Sequence, residues 1–82
     1  MCYVFGKEEA EKYGNIVSKS LSGKVISKRA VDGDKPNGLR YEAEHLGIVD
    51  KDFDLFTLLR TLEGMCALGT AKEIDDCHYK VL

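Results

Sequence analysis

A small α+β domain is predicted by three features of the chain. Two stretches, 7–21 and 52–69, carry apolar residues at helical spacing. A β-branched run at 24–31 is bounded by turn-forming residues, and the segment 71–82 alternates apolar and polar residues around two adjacent aspartates. At 82 residues the chain fits one domain, 1–82, large enough to fold alone around a small core. It is 44% hydrophobic and 32% charged with one proline, a composition that excludes a disordered tail.

After a short apolar start, "CYVF", the segment 7–21 places Ala10, Tyr13, Val17 and Leu21 at spacings of three, four and four, with Ile16 beside them. This is an amphipathic helix, and Gly23 suits its C-terminal cap. The run "KVISKRAV" then reads as a strand, and "DGDKPNG" as a loop.

The segment "LRYEAEHLG" fits two periodicities. Leu39, Tyr41, Ala43 and His45 alternate with charges, whereas Leu39, Ala43 and Leu46 recur at helical spacing. Helix is favoured, because Glu-Ala-Glu is a poor strand sequence, Asn37 can cap the start and Gly47 can end it. A strand here would give two helices on a three-stranded antiparallel sheet.

In "DFDLFTLLRTLEGMCALG" the residues Leu55, Leu58, Leu59, Leu62, Met65 and Cys66 form one apolar stripe, so this is the core helix. Asp52 and Asp54 suit its positive N-terminal end and Gly69 its C-terminus. Gly64 costs about 1 kcal/mol relative to alanine, which points to a close approach by a neighbouring element. The last twelve residues predict strands at 71–74 and 78–82 reversed by Asp75 and Asp76, or one strand bent by a bulge.

The resulting order is helix, strand, helix, helix, strand, strand. Together with "AEHLGIVDKDFDLF", it resembles a winged helix-turn-helix domain over roughly residues 7–82. In that motif Ala43 takes the small position facing the second helix, with Leu46 behind it and Gly47 at the turn. Ile48 follows, and Phe53 and Phe56 stand where the second helix packs back on the first. Two helices crossing over so short a turn need a small residue at the crossing and glycine where φ is positive.

The resemblance implies DNA reading by the exposed start of the second helix, which normally offers cations and amides to phosphates and bases. Here that start is "VDKDFD", in which Asp50, Asp52 and Asp54 face only Lys51, a poor match to a polyanion. The net charge of −2 conceals a division along the chain. From 19 to 40 six basic residues stand against two acidic ones, while from 41 onward nine acidic residues face four basic ones.

Site chemistry is sparse. Zinc needs paired Cys or His at short spacings, and Cys77 beside His78 is not such a pair, since strand neighbours point to opposite faces. Cys66 lies on the apolar stripe, where a thiol behaves as a small hydrophobe. Cys77 with His45 or His78 has no nucleophile motif around it, Asp75 and Asp76 lack a cleft, and no phosphate-binding glycine pattern occurs. No metal, cofactor or catalytic residue is predicted.

Three widely spaced cysteines, no apolar run of membrane-spanning length and no leader-like start predict a cytoplasmic protein. The expected function is that of a non-enzymatic interaction or adaptor module that binds another protein, with homodimerisation through "CYVF" open. The alternative is a DNA-binding regulator or accessory factor using segment 19–40. The expected binding surface comprises Lys24, Lys28, Arg29, Lys35, Arg40, His78 and Lys80.

Overall fold

The computed structural model describes residues 7–28, 38–48 and 53–82. Helix α1 (Lys7–Ser20) opens with Glu8 and Glu9 and closes with Lys19, each matching the sign of the helix dipole at its end. It buries Ala10, Tyr13, Gly14 and Val17, and Leu21 continues the same face. Ile16 does not join them; it is 40% exposed, because one residue back from Val17 is a rotation of about 100° away from the buried stripe.

Two helical glycines are buried, Gly14 in α1 and Gly64 in the core helix. A Cβ built on Gly14 would stand 3.9 Å from Met65 Cγ, an ordinary van der Waals contact. Gly14→Ala is therefore expected to stabilise the fold by about 0.5–1 kcal/mol through helix propensity and a less flexible unfolded chain, as read from the chemical denaturation midpoint.

Gly23 serves a turn, and not the helix cap expected of it. The Lys24 amide donates to Leu21 O at 2.9 Å, and Gly23 adopts φ 77° inside that turn. The reversal delivers the chain to strand β1 (Val25–Ser27), shorter than the predicted 24–31, of which residues 29–31 lie outside the described part. Residues 39–46 resolve as helix α2 (Leu39–His45), which buries Leu39 and Ala43 one turn apart; the strand alternative is thereby excluded. Its N-cap is Gly38 with no side-chain cap, and Asn37 lies outside the described residues. Gly47, at φ 76°, follows its last residues as predicted.

Helix α3 (Leu55–Leu68) begins at Asp54, whose Oδ1 accepts from Thr57 N at 2.9 Å and from Thr57 Oγ1 at 3.1 Å. It buries Leu58, Thr61, Leu62 and Met65, with Leu55, Leu59 and Cys66 packed at the margin. Thr61 is accommodated because its hydroxyl donates to Thr57 O at 2.8 Å. Gly69, at φ 83°, ends the helix while its amide and that of Thr70 reach back to Cys66 O and Met65 O.

Strands β2 (Ala71–Asp75) and β3 (His78–Val81) complete an antiparallel three-stranded sheet in the order β1-β3-β2. The hairpin turn is Asp76–Cys77, one residue later than predicted, and Asp75 ends β2. The two-strand reading holds and the single bent strand is excluded, while a register shift between Glu73 and Asp75 marks a bulge or irregularity within the hairpin. Ile26, Tyr79, Val81 and Ala71 face the helices and close the core with Val17, Leu21, Leu58, Leu62 and Met65. The order α1-β1-α2-α3-β2-β3 follows the predicted order of helix, strand, helix, helix, strand, strand.

Candidate functional site

The end of α2 and the start of α3 build the most distinctive surface of the described residues. Ala43 is buried at the crossing, Leu46 packs at the core margin and Gly47 makes the left-handed step, all as the motif requires. Asp50, Lys51 and Asp52 lie outside the described residues. Phe53 meets the ring of Tyr13 on α1 edge-on, with centroids 4.8 Å apart and planes at 66°. Phe56 does not pack back on the core: it is 66% exposed, the most open of the large apolar side chains among the described residues.

An open groove of about 310 Å³ runs along this corner. Phe53, Leu55, Phe56 and Ala43 supply its apolar wall, and Arg40, Glu44 and Asp54 its charged margin. Arg40 and Glu44 are both exposed, one helical turn apart on α2. Asp54 uses Oδ1 for the helix cap, which fixes its carboxylate against the groove.

Of the seven residues expected to form a binding surface, five are described, and they lie on different elements. Lys28 is committed on the inner side of the sheet: its Nζ lies 2.8 Å from Glu73 Oε2 and 4.7 Å from the centroid of Tyr79. His78 Nδ1 sits 2.9 Å and 3.1 Å from the two oxygens of Asp75, which also accepts the Cys77 amide at 2.7 Å. The Cys77 bond and then the His78 bond hold the Asp75 carboxyl below the usual carboxylate range. Lys80 is exposed on the outer sheet face between Val25 and Lys72, its cross-strand partners, and Lys24 is exposed beside β1. Arg40 belongs to the α2–α3 groove, while Arg29 and Lys35 lie outside the described residues.

Among the described residues no group of three His, Cys, Asp or Glu side chains could hold a metal ion. Cys66 is half-buried on α3, and burial, followed by the charges of Glu73 and Glu63, pushes its thiol up and away from thiolate chemistry. Burial also raises the carboxyl of Glu63 and the phenol of Tyr79, and the hydrogen bond that Lys28 donates to Glu73 raises the Lys28 ammonium.

A pH dependence follows from this cluster. Cys66, Tyr79 and Lys28 each hold their proton more tightly in the folded state than in the unfolded chain. Their contribution is complete below the unfolded values of 9.0, 10.0 and 10.5 and is lost as pH rises through the higher folded values. The denaturation midpoint is expected to fall steadily across this alkaline range, and Cys66→Ala should remove the earliest part of the decline.

Sequence reasoning missed the exposure of Phe56, although a helical wheel contains the signal. Leu58, Leu62 and Met65 share one face, and Phe56, two residues before Leu58, projects about 160° from it. The Lys28–Glu73 pair, 45 residues apart in the chain, left no local trace.

Fold and site together define a small α+β domain, three helices and a three-stranded antiparallel sheet, with an open groove lined by residues of α2 and the start of α3. The chain matches no protein family, no curated protein and no solved structure with which it was compared.

Proposed function

We propose that this domain is a non-enzymatic, cytoplasmic protein-binding module that receives an apolar anchor in the groove between α2 and α3. The observation that carries this reading is Phe56, an exposed ring beside an apolar groove at the one corner where a winged helix normally engages its target. No helix among the described residues is long and apolar enough to cross a membrane, in keeping with a partner met in solution.

The first turns of α3 speak for a protein partner over DNA. Their exposed positions carry Phe56 and Arg60, and the Arg60 guanidinium is engaged with Glu9 at 3.4 Å. A helix that contacts phosphates needs several available cations at these places. The DNA-binding alternative draws its support from the sheet, where Lys72 and Lys80 face each other across β2 and β3 with no ion partner among the described residues.

A photoreactive phenylalanine analogue at position 56, introduced in the cells that make the protein, is expected to give discrete protein adducts. The same probe at position 80 should not give them, and Arg40→Glu should suppress them. Identical adduct patterns at the two positions would sink the groove reading. Salt-sensitive amide shifts at Lys24, Lys72 and Lys80 on adding duplex DNA would instead favour the alternative.

A further inference from the structure

The sheet has two edges, and the fold treats them differently. Strand β3 lies between β1 and β2, so each outer strand turns one side away from the ladder. On β1 that side is taken at Ser27 by a parallel bridge from Gly38. On β2 no strand lies alongside among the described residues, and Lys72, Glu73, Ile74 and Asp75 are all exposed. An edge of this kind offers backbone groups to any extended chain.

We infer that β2 is a guarded edge, on which Lys72, Glu73 and the register shift beside them bar a further strand from joining the sheet. Partners of this domain then meet its side-chain surfaces and not the backbone of β2. The inference stands apart from the groove between α2 and α3.

Three observations carry it. The first is Glu73. The row Ile26, Tyr79, Glu73 crosses the three strands, and its first two members are buried, so Glu73 stands on the inner face at the edge. Its carboxylate holds Lys28 at 2.8 Å, and 52% of its side chain is exposed. A strand added beside β2 would press a side chain against this pair and take it out of water. A charge turned inward on an edge strand is one of the means by which natural sheets prevent such addition.

The second is Lys72. The neighbouring row is Val25, Lys80, Lys72, and the two lysines are direct cross-strand partners, both exposed on the outer face. Like charges directly opposite each other weaken a sheet. Lysine on an edge strand opposes the approach of another strand, and this gives the costly pairing a role. The third is the register shift between Glu73 and Asp75, which breaks the even spacing of backbone groups within a strand of five residues. A regular strand cannot match both halves. Asp75 braces this end of β2, since its carboxylate accepts from the Cys77 amide at 2.7 Å and meets His78 Nδ1 at 2.9 Å.

Removing the guards tests the inference, with two readouts. Sedimentation from about 10 μM to about 1 mM follows mass, and hydrogen exchange at the amides of 72–75 reports whether a strand has joined the edge. In the wild type these amides are expected to exchange at the same rate across the series. Lys72→Thr alone should raise the denaturation midpoint, because it relieves the opposition to Lys80. Lys72→Thr combined with Glu73→Val should keep the circular dichroism spectrum, yet its mass should climb above 9.1 kDa with concentration. Its amides at 72–75 should slow by at least about tenfold at the high end.

If loss of the Lys28 partner unfolds that variant, Lys72→Thr with Glu73→Gln leaves Lys28 an acceptor and is held to the same criteria. Wild-type amides at 72–75 that slow with concentration would show an open edge and overturn the inference. So would a folded double variant that matches the wild type in mass and exchange, or one that associates with no slowing at 72–75.

Discussion

Leu62→Ala is expected to lower the free energy of unfolding by about 2–5 kcal/mol, the range for deleting a large buried aliphatic side chain. Leu62 has no exposed surface and stands at the centre of the stripe of α3, the helix that packs on α1, α2 and β2. A cavity left there has walls from several elements, and no one of them can collapse into it without breaking another contact. A domain of 82 residues has a total stability of about 4–12 kcal/mol, so this substitution removes a large fraction of it and can leave the chain mostly unfolded. Leu68→Ala, on the same helix but 58% exposed, is the control and should change stability by no more than about 0.5 kcal/mol. Urea denaturation of the three proteins checks the contrast. Equal losses at positions 62 and 68 would mean that α3 does not present the face described.

Tyr79→Ala is expected to cost about 3–5 kcal/mol, for a different reason. Tyr79 lies on the central strand, between Ile26 of β1 and Glu73 of β2, with its ring buried beneath the Lys28 ammonium. Removing the ring opens the core and takes away the surface over which the Lys28–Glu73 pair is held. Tyr79→Phe keeps the ring and should retain most of the stability. It also removes the phenol whose ionisation burial opposes, so its alkaline decline should be shallower than that of the wild type. A Tyr79→Phe variant as unstable as Tyr79→Ala would show that the hydroxyl, and not the packed ring, is what matters at this position.

Both predictions concern residues whose placement was readable before any coordinates. Leu62 belongs to a stripe with helical period, and Tyr79 alternates with His78 and Lys80 in a short strand, so local periodicity alone assigns each to the inner face. The glycines were legible where backbone geometry required them. Gly47 and Gly69 follow their helices in the left-handed conformation that other residues seldom adopt. Gly23 has the same conformation, but whether it caps the helix or makes the next turn depends on the path to β1, and that path is fixed by bonds to Val81 on a distant strand.

The segment 39–46 shows the boundary between the two kinds of information. Its sequence satisfied both a strand and a helix; the helix buries Leu39 and Ala43 while leaving His45 exposed, whereas a strand would have put all three on one face. The candidate site divides in the same way. The small residue at 43, the glycine at 47 and the acidic cap at 54 are written in the chain, but the groove exists only where the fold brings α2 and the start of α3 together.

The same distinction governs the charges. The sequence grouped Lys24, Lys28, Arg40, His78 and Lys80 as one basic surface because a linear reading counts charges without their partners. The folded sheet gives Lys28 to Glu73 and His78 to Asp75, turns Lys80 outward beside Lys72, and leaves Arg40 at the groove. What the sequence determined by itself is the order of elements and the inward face of each, because both depend on periodicities of two and 3.6 residues that local geometry enforces. What only the tertiary structure decided is which exposed residues share a surface, because cross-strand register and helix crossing bring together positions that no local pattern connects.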